Sequence, residues 1–328
     1  MFAVDRTVVT GIIRIIADWK SIFHWQESKL TDPLSDVIRL LNPKAIYSKG
    51  ISGAGRWAVR YAEFGQPGFC AVTEGRCRLA VDGEAPVLLE EGDFVLLPAT
   101  PAFTMSGLEP APVVRMDPKS GPPPEEEVRH GRAEGPPDVR QFGGYFTFAS
   151  PDAALLVSLL PRMIHIRGVP RLTQLVSLVG EEAARDDIGR DLILERLVEI
   201  LLIEALRAAP PQDAGPGLLR GLADPRIAIA LRQMHGDVER PWTVPELARE
   251  AGMSRSAFFD RFVRLVGVRP MEYLLSWRMA LAKTLLRGGG MALDEVARRI
   301  GYGSASTFST AFSRHVGQPP RRFMRQAA

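Results

Sequence analysis

Two segments fifty residues apart place small hydroxyls, a carboxylate and arginines at matched positions. Ser254-Arg255-Ser256-Ala257-Phe258-Phe259-Asp260-Arg261-Phe262-Val263-Arg264-Leu265-Val266-Gly267 is echoed by Ser304-Ala305-Ser306-Thr307-Phe308-Ser309-Thr310-Ala311-Phe312-Ser313-Arg314-His315-Val316-Gly317. Both copies continue into a proline (Pro270, Pro320) and an aromatic (Tyr273, Phe323). Guanidinium groups pair with phosphates, and short polar side chains hydrogen-bond base edges, so the chemistry on offer is recognition of DNA. At about 100° per residue, Phe258, Phe262 and Leu265 fall on one face of a helix, as do Phe308, Phe312 and His315. Ser256, Asp260 and Val263 fall opposite, as do Ser306, Thr310 and Ser313. The phenylalanine face is expected in the core and the polar face outside it.

Bond-making constellations are not suggested. His130, His165, His235 and His315 have no ligand spacing, and between Ala45 and Val128 there is no histidine. Cys70 and Cys77, read as lying across a turn, supply at most two thiolates and suit small buried side chains in a reducing cytosol. Gly288-Gly289-Gly290 lacks a following Lys-Ser/Thr and reads as a flexible connector rather than a phosphate loop. No Ser-His-Asp or Cys-His signature is present. No catalytic residue, metal or cofactor is therefore expected.

The elements that must position the matched segments are legible around them. Ala248…Gly252-Met253 is echoed by Ala297…Gly301-Tyr302, one residue out of phase, with Gly303 as the extra turn residue. Each copy thus reads as a short helix, a glycine turn and a second helix, a helix-turn-helix. Thr243-Val244-Pro245-Glu246 has capping-box spacing at the start of the first helix. Met271 to Arg287 contains no Pro or Gly and reads as one helix joining the two units, about 26 Å long.

Ahead of these units, Ala208-Ala209-Pro210 through Gly215-Pro216-Gly217 is a Pro/Gly-rich linker. Helical patterns precede it at 152–160, 171–185 and 189–208. The last is apolar over more than one face, so it is either buried between domains or a dimer seam. Residues 44–116 read as β: Cys77 to Val81 alternates, Asp82-Gly83 turns, Pro86 to Leu89 returns, and Glu91-Gly92 turns into Phe94-Val95-Leu96-Leu97-Pro98. Asp117 through Pro137, rich in Pro and Glu, reads as a mobile loop. The apolar run Val8 to Ile13 is interrupted by Arg14, which excludes a standard signal peptide. With no membrane span either, a cytoplasmic protein is expected.

Charge divides the chain as the motifs do. The whole carries 41 basic against 38 acidic residues, net +3. From Gly221 onward there are 17 Arg/Lys against 9 Asp/Glu, a net of +8, which leaves −5 for residues 1–220. An acidic body joined to a basic C-terminal part is the asymmetry of a chain of which only one domain meets phosphate. Arg255, Arg261, Arg264, Arg269, Arg298, Arg299, Arg314, Arg321, Arg322 and Arg325 are the candidate phosphate contacts, and Arg264 has Asp260 at i−4 as an alternative partner.

Residues 224–327 resemble the double helix-turn-helix DNA-binding domain of AraC-type transcription regulators. The resemblance is carried by Asp224-Pro225-Arg226-Ile227, the run Trp242 to Ser254, Trp277-Arg278-Met279, Ala297…Ile300-Gly301-Tyr302, Phe308…Ala311-Phe312 and Gly317 to Phe323. Val72…Gly75…Val81-Asp82-Gly83…Pro86…Gly92 to Pro98 resembles the cupin barrel of many such regulators. Together they imply an α+β chain with four parts: residues 1–30 as an extension, 31–208 as a cupin-like effector-binding and dimerisation domain with a helical end, 209–220 as a linker, and 221–328 as the DNA-binding domain. Carried over by position, Ser256, Phe259 and Asp260 face bases in the first unit and Ala305, Ser306 and Thr310 in the second. Ser254, Arg255, Arg264, Ser304 and Arg314 flank them.

Ala305, Ser306 and Thr310 are shorter than the Arg or Gln of other family members, which implies phosphate and thymine-methyl contacts. Where cupin enzymes carry a ligand histidine this chain has Phe103, which weighs against a metal enzyme. Trp57, Phe69, Phe94, Phe103 and Met105 are the expected lining for a small, largely uncharged organic effector, with Arg60 or Arg76 for an anionic contact. The alternative is a packed barrel that serves only for assembly. Double-stranded promoter DNA, a second copy of the chain and, by family resemblance, RNA polymerase are the expected partners.

Overall fold

A computed structural model describes residues 32–117, 127–150, 160–210 and 215–327, together with Ala153 and Val157. The extension at 1–30, most of the helix expected at 152–160 and residues 118–126 of the expected loop lie outside the described residues. The first helix, α1 (Pro33–Leu41), starts where Asp32 caps the Leu34 amide and Pro33 pre-sets the first turn; it ends at Asn42 in the left-handed region. Its Leu34, Val37, Ile38 and Leu41 recur at helical spacing and are all buried.

Ten strands follow: β1 (Pro43–Ala54), β2 (Ala58–Tyr61), β3 (Gly68–Val81), β4 (Val87–Glu90), β5 (Phe94–Leu97), β6 (Phe103–Ser106), β7 (Val113–Met116), β8 (Val128–Gly131), β9 (Val139–Phe148) and β10 (Ile164–Ile166). They form two faces that share β3. Its first half pairs with β9 and β5, and its second half with β4 and β6. The hairpin expected around Asp82-Gly83 is present, Cys77 opposite Leu89 and Leu79 opposite Val87. Two readings are corrected. Cys70 and Cys77 lie on one strand, not across a turn. Residues 128–131, read as part of a loop, are β8, which pairs in parallel with Ile51–Ala54.

A register shift between Val72 and Glu74 lets β3 serve both faces. Cys70 and Cys77, an odd number apart, would point to opposite sides of a regular strand. The extra residue flips the parity, so Cys70, Val72, Cys77, Leu79 and Val81 all belong to the inner barrel cluster. Gly75 closes the distortion at φ +72°, where a Cβ would sit 2.0 Å from the Asp138 carbonyl oxygen.

Helices α2 (Pro170–Ala183) and α3 (Arg190–Ala208) cover the outer face of the β1–β9–β3 sheet. The C-terminal part is helical: α4 (Leu218–Ala223), α5 (Pro225–Gly236), α6 (Val244–Glu250), α7 (Arg255–Val266), α8 (Pro270–Arg287), α9 (Leu293–Arg299), α10 (Ala305–Val316) and α11 (Pro320–Ala327). One core runs from Phe69, Phe94 and Phe146 through α1 and α3 to Ile227, Phe258, Phe262 and Trp277. A separate core under the last unit holds Met279, Leu286, Val296, Phe308, Phe312 and Phe323.

Helix α1 therefore belongs to both halves of the chain. At its centre Asp36 reaches His235 of α5: Nδ1 lies 3.2 Å from the carboxylate and Nε2 2.8 Å from the Tyr273 hydroxyl of α8. The imidazole stacks on Trp277 at 4.0 Å. A carboxylate only accepts, so Nδ1–H donates to Asp36 and Nε2 accepts from Tyr273, the pattern of a neutral ring. Burial holds the His235 pKa below its usual 6.5, against the opposing pull of Asp36 and, further off, Asp32.

The unfolded chain then takes up a proton near 6.5 that the folded junction resists. The stabilising contribution is complete above that pH and is lost as pH falls toward the lowered native value. Thermal unfolding of the full chain should lose more stability between about pH 7.5 and about pH 5.5 than the His235→Gln variant does. Asp36→Ala, which strands a buried N–H, should cost about 1–3 kcal/mol.

Candidate DNA interface

The second helix of each helix-turn-helix unit is built by the same local rules. In the first unit Thr243 and Glu246 form a complete capping box at α6, and the turn at Gly252 leads to Ser254, whose hydroxyl caps α7 through the Ala257 amide. In the second, Gly301 turns the chain and Ser304 caps α10 through the Thr307 amide at 3.2 Å. Ser254 and Ser304, expected among the DNA-facing residues, are thus the N-caps of the two helices. Both helices end at a left-handed glycine, Gly267 and Gly317.

Phe258 and Phe262 on α7, and Phe308 and Phe312 on α10, are fully buried, so the opposite faces are turned outward. On α7 those faces expose Arg255, Ser256, Asp260 and Arg264, with Phe259 half-buried; on α10 they expose Ser306, Thr310 and Arg314, with Ala305 half-buried. Two side chains in the expected buried arcs differ: Leu265 is half-buried and His315 is exposed.

Thr310 Oγ1 donates to the Ser306 carbonyl at 3.1 Å. That back-bond occupies the hydroxyl proton, so the methyl is the group left to meet an apolar partner. Asp260 and Arg264 form no ion pair with each other, although both are exposed one turn apart.

The candidate arginines divide into two groups, with Arg269, Arg321, Arg322 and Arg325 in the second, exposed and without an ion pair among the described residues. Arg261 is turned inward: its Nε donates to Asp224 at 2.8 Å and its Nη2 to the same oxygen, which pins the N-cap of α5 to α7. Those bonds and the backbone amides of Arg226 and Ile227 hold the Asp224 pKa below its usual value against the opposing effect of burial. Arg298 and Arg299 both grip Glu295, whose pKa falls to about 2 in consequence. These three serve the fold. Arg255, Arg264 and Arg314 are exposed and make no ion pair among the described residues, which leaves them available to phosphate.

The barrel residues separate in the same way. Trp57, Phe103 and Met105 face the barrel interior. Phe69 and Phe94 point to the other side of the sheet, into the core beneath the helices, so they do not line the same space. The Trp57 ring is bedded against glycines: a Cβ at Gly53 would lie 2.4 Å from it. It also stacks on His130 at 5.6 Å, and Phe103 stacks on Tyr61 at 4.8 Å. Arg60 is paired with Asp82 at 2.6 Å.

Gln141, which nothing in the sequence singled out, is buried at the centre. Its Oε1 accepts from the Cys70 thiol at 3.1 Å and lies 4.0 Å from Cys77 Sγ, while its Nε2 lies 3.7 Å from Met105 Sδ. Burial pushes the Cys77 thiol up to about 12 and raises Cys70 as well, so both are protonated and poorly nucleophilic. Among the described residues no group of three or more His, Cys, Asp or Glu is arranged to hold a metal ion, and no helix is long and apolar enough to cross a membrane.

Comparison with known proteins agrees with this architecture. A cupin family matches residues 32–209 and a helix-turn-helix domain matches residues 247–326. An AraC-like transcription regulator of Streptomyces lividans is 38% identical over 304 residues, covering 88% of this chain and 96% of its own. One from Streptomyces antibioticus is 38% identical over 301 residues, 88% and 97% of the two chains. Among solved structures, the DNA-binding domain of the transcriptional factor AdpA in complex with a target DNA is 30% identical, with a TM-score of 0.30 over 31% of this chain and 92% of that one. With a barrel, two capped reading helices and full-length relatives of the same plan, the chain belongs to the AraC-like transcription regulators, DNA-binding proteins that join a cupin domain to a helix-turn-helix domain.

Proposed function

We propose that this regulator binds one face of a promoter through both units at once, with α7 and α10 each entering a major-groove segment. The observation that carries the reading is that α8 supplies side chains to both cores, Tyr273, Leu274 and Trp277 to the first and Met279, Ala282 and Leu286 to the second. Its 18 residues make a rod of about 27 Å. Successive major-groove faces on one side of B-DNA are about 34 Å apart, a span that such a rod and the bulk of each unit can bridge. In the first unit Ser256, Phe259 and Asp260 read bases, with Asp260 accepting from a base amino group such as that of cytosine; Arg255 and Arg264 hold phosphate. In the second, Ala305, Ser306 and Thr310 offer apolar and backbone-type contacts and Arg314 holds phosphate.

Residues 31–208 then form the regulatory domain, 209–220 the linker and 221–328 the DNA-binding domain. The protein is a cytoplasmic non-enzyme that acts as a homodimer and touches RNA polymerase at the promoter. Leu178 on α2 and Leu192, Ile193 and Ile200 on α3 are exposed, an apolar face that suits a second copy of the chain. A small, largely uncharged effector in the barrel would act on DNA binding through α1 and its Asp36–His235–Tyr273 contact. The packed setting of Trp57 favours the second reading, a barrel that serves assembly alone.

Hydroxyl-radical footprinting should show each copy of residues 221–328 protecting two groove segments about one helical turn apart, without two-fold symmetry between them. Insertion of Gly-Pro after Trp277 should abolish coordinated protection; a footprint on one segment would sink the bipartite reading. Asp260→Ala should relax base preference at one position, whereas Arg264→Ala should weaken binding to all sequences and lower the salt slope by about 1. An unchanged preference in Asp260→Ala would remove Asp260 from base readout. Sedimentation should find the full chain dimeric and Leu192→Glu monomeric, and a thermal shift with small apolar compounds, absent with metal ions alone, should separate an effector barrel from a purely structural one.

A further inference from the structure

The side chain best placed to set the geometry between the two reading units is Arg278, one residue beyond Trp277 on α8. Its neighbours in sequence belong to different cores, Trp277 to the first unit and Met279 to the second. The guanidinium crosses to the loop between α5 and α6, where Nε and Nη2 donate to the Val238 carbonyl at 3.0 and 2.8 Å and Nη2 to the Arg240 carbonyl at 2.7 Å. That loop is tied into the first unit by its own contacts. The Trp242 indole donates to the Asp237 carbonyl at 2.9 Å, the Arg240 guanidinium lies 4.0 Å over the Trp242 ring, and Arg240 reaches Glu246 of α6 at 3.4 Å.

The same guanidinium also meets the second unit, through the nitrogen that holds both carbonyls. Gly301, the turn between α9 and α10, has φ +80°, and a Cβ there would lie 2.6 Å from Arg278 Nη2 and 2.6 Å from the Glu239 carbonyl oxygen. Arg298 of α9 approaches Glu239 of the same loop at 3.8 Å. A rod alone sets the distance between two heads but leaves their rotation about the rod free to vary with helix bending and side-chain repacking. A planar cation with directed donors, pressed between a loop of one head and a glycine turn of the other, restrains that rotation.

We infer that Arg278 is a positioning residue for bipartite DNA recognition, a clamp that holds the two reading helices in one relative orientation and so sets the spacing of the two groove segments the protein accepts. The inference rests on the reading that both units contact DNA. The shared helix already makes the second contact intramolecular; holding the heads in register raises its effective concentration, so most of the advantage of a two-segment site over a single segment depends on the clamp. Lysine keeps the charge and part of the stem but cannot span both carbonyls in a fixed plane.

The test uses the full-length chain and a duplex that the wild type selects from a randomised pool, with its protected segments mapped by footprinting. Affinities are then measured for that duplex, for versions with one segment scrambled, and for versions with one or two base pairs inserted between the segments. The wild type should penalise each insertion. Arg278→Met should bind single-segment duplexes within about twofold of wild type, lose about tenfold or more on the two-segment duplex, and tolerate the insertions; Arg278→Lys should fall between. Should Arg278→Met fail to fold, Arg278→Lys carries the same comparison of spacings.

Retention of the wild-type spacing preference, or an equal loss on single- and two-segment duplexes, would overturn the clamp while leaving the bipartite reading intact. A wild-type footprint confined to one segment would overturn both.

Discussion

The DNA-binding half of this protein depends on one helix being shared between two hydrophobic cores. Helix α8 turns Tyr273, Leu274 and Trp277 toward the first unit, and Met279, Ala282 and Leu286 toward the second. Neither unit could bury its phenylalanine pair without that surface. Phe262 packs edge-on against Tyr273 of α8, and Phe312 against Phe323 of α11, which itself lies against α8. Because a packed core is dense and resists shear, the two reading helices inherit a fixed separation from the same residues that stabilise them. The separation of these two helices is a by-product of burial.

The barrel half is joined to this arrangement through burial as well. Helix α1 is short, yet it presents Val37, Ile38 and Leu41 to a core that runs from the sheet to Ile227 and Trp277. The polar contact inside that apolar junction is the Asp36–His235–Tyr273 chain. A hydrogen-bonded chain in a dry setting is directional, and each member loses a partner if α1 moves. The junction therefore has the character of a seat with one good position. It does not slide.

The division of the arginines shows why a count of basic residues overstates the phosphate surface. Of the 17 arginines and lysines beyond Gly221, Arg261, Arg298 and Arg299 are bound to Asp224 and Glu295, and Arg278 is consumed by backbone carbonyls. What remains exposed on α7 and α10, Arg255, Arg264 and Arg314, is a narrower set aligned with the polar faces of the reading helices. Positive charge in this domain does two jobs, and the ones that fix the scaffold are indistinguishable by residue type from the ones that would meet DNA.

The sequence by itself determined the repeated units, their caps, the buried phenylalanine faces and the continuous helix between them, because each follows from local rules: helical period, capping chemistry and glycine turns act over four or five residues. It also determined the hairpin at Asp82-Gly83. It could not place Phe69 and Phe94 on the far side of the sheet from Trp57, Phe103 and Met105, nor bring Cys70 and Cys77 to the same amide. Both outcomes hang on one extra residue in β3, and a single-residue shift reverses which face every later side chain takes. Strand β8 was hidden because its partner, β1, lies more than seventy residues earlier, and its four residues carry no pattern of their own. The roles of Arg278, His235 and Gln141 were likewise decided only by tertiary structure. Their partners lie 38 to 40, 199 and 71 residues away along the chain, so no local spacing could announce them.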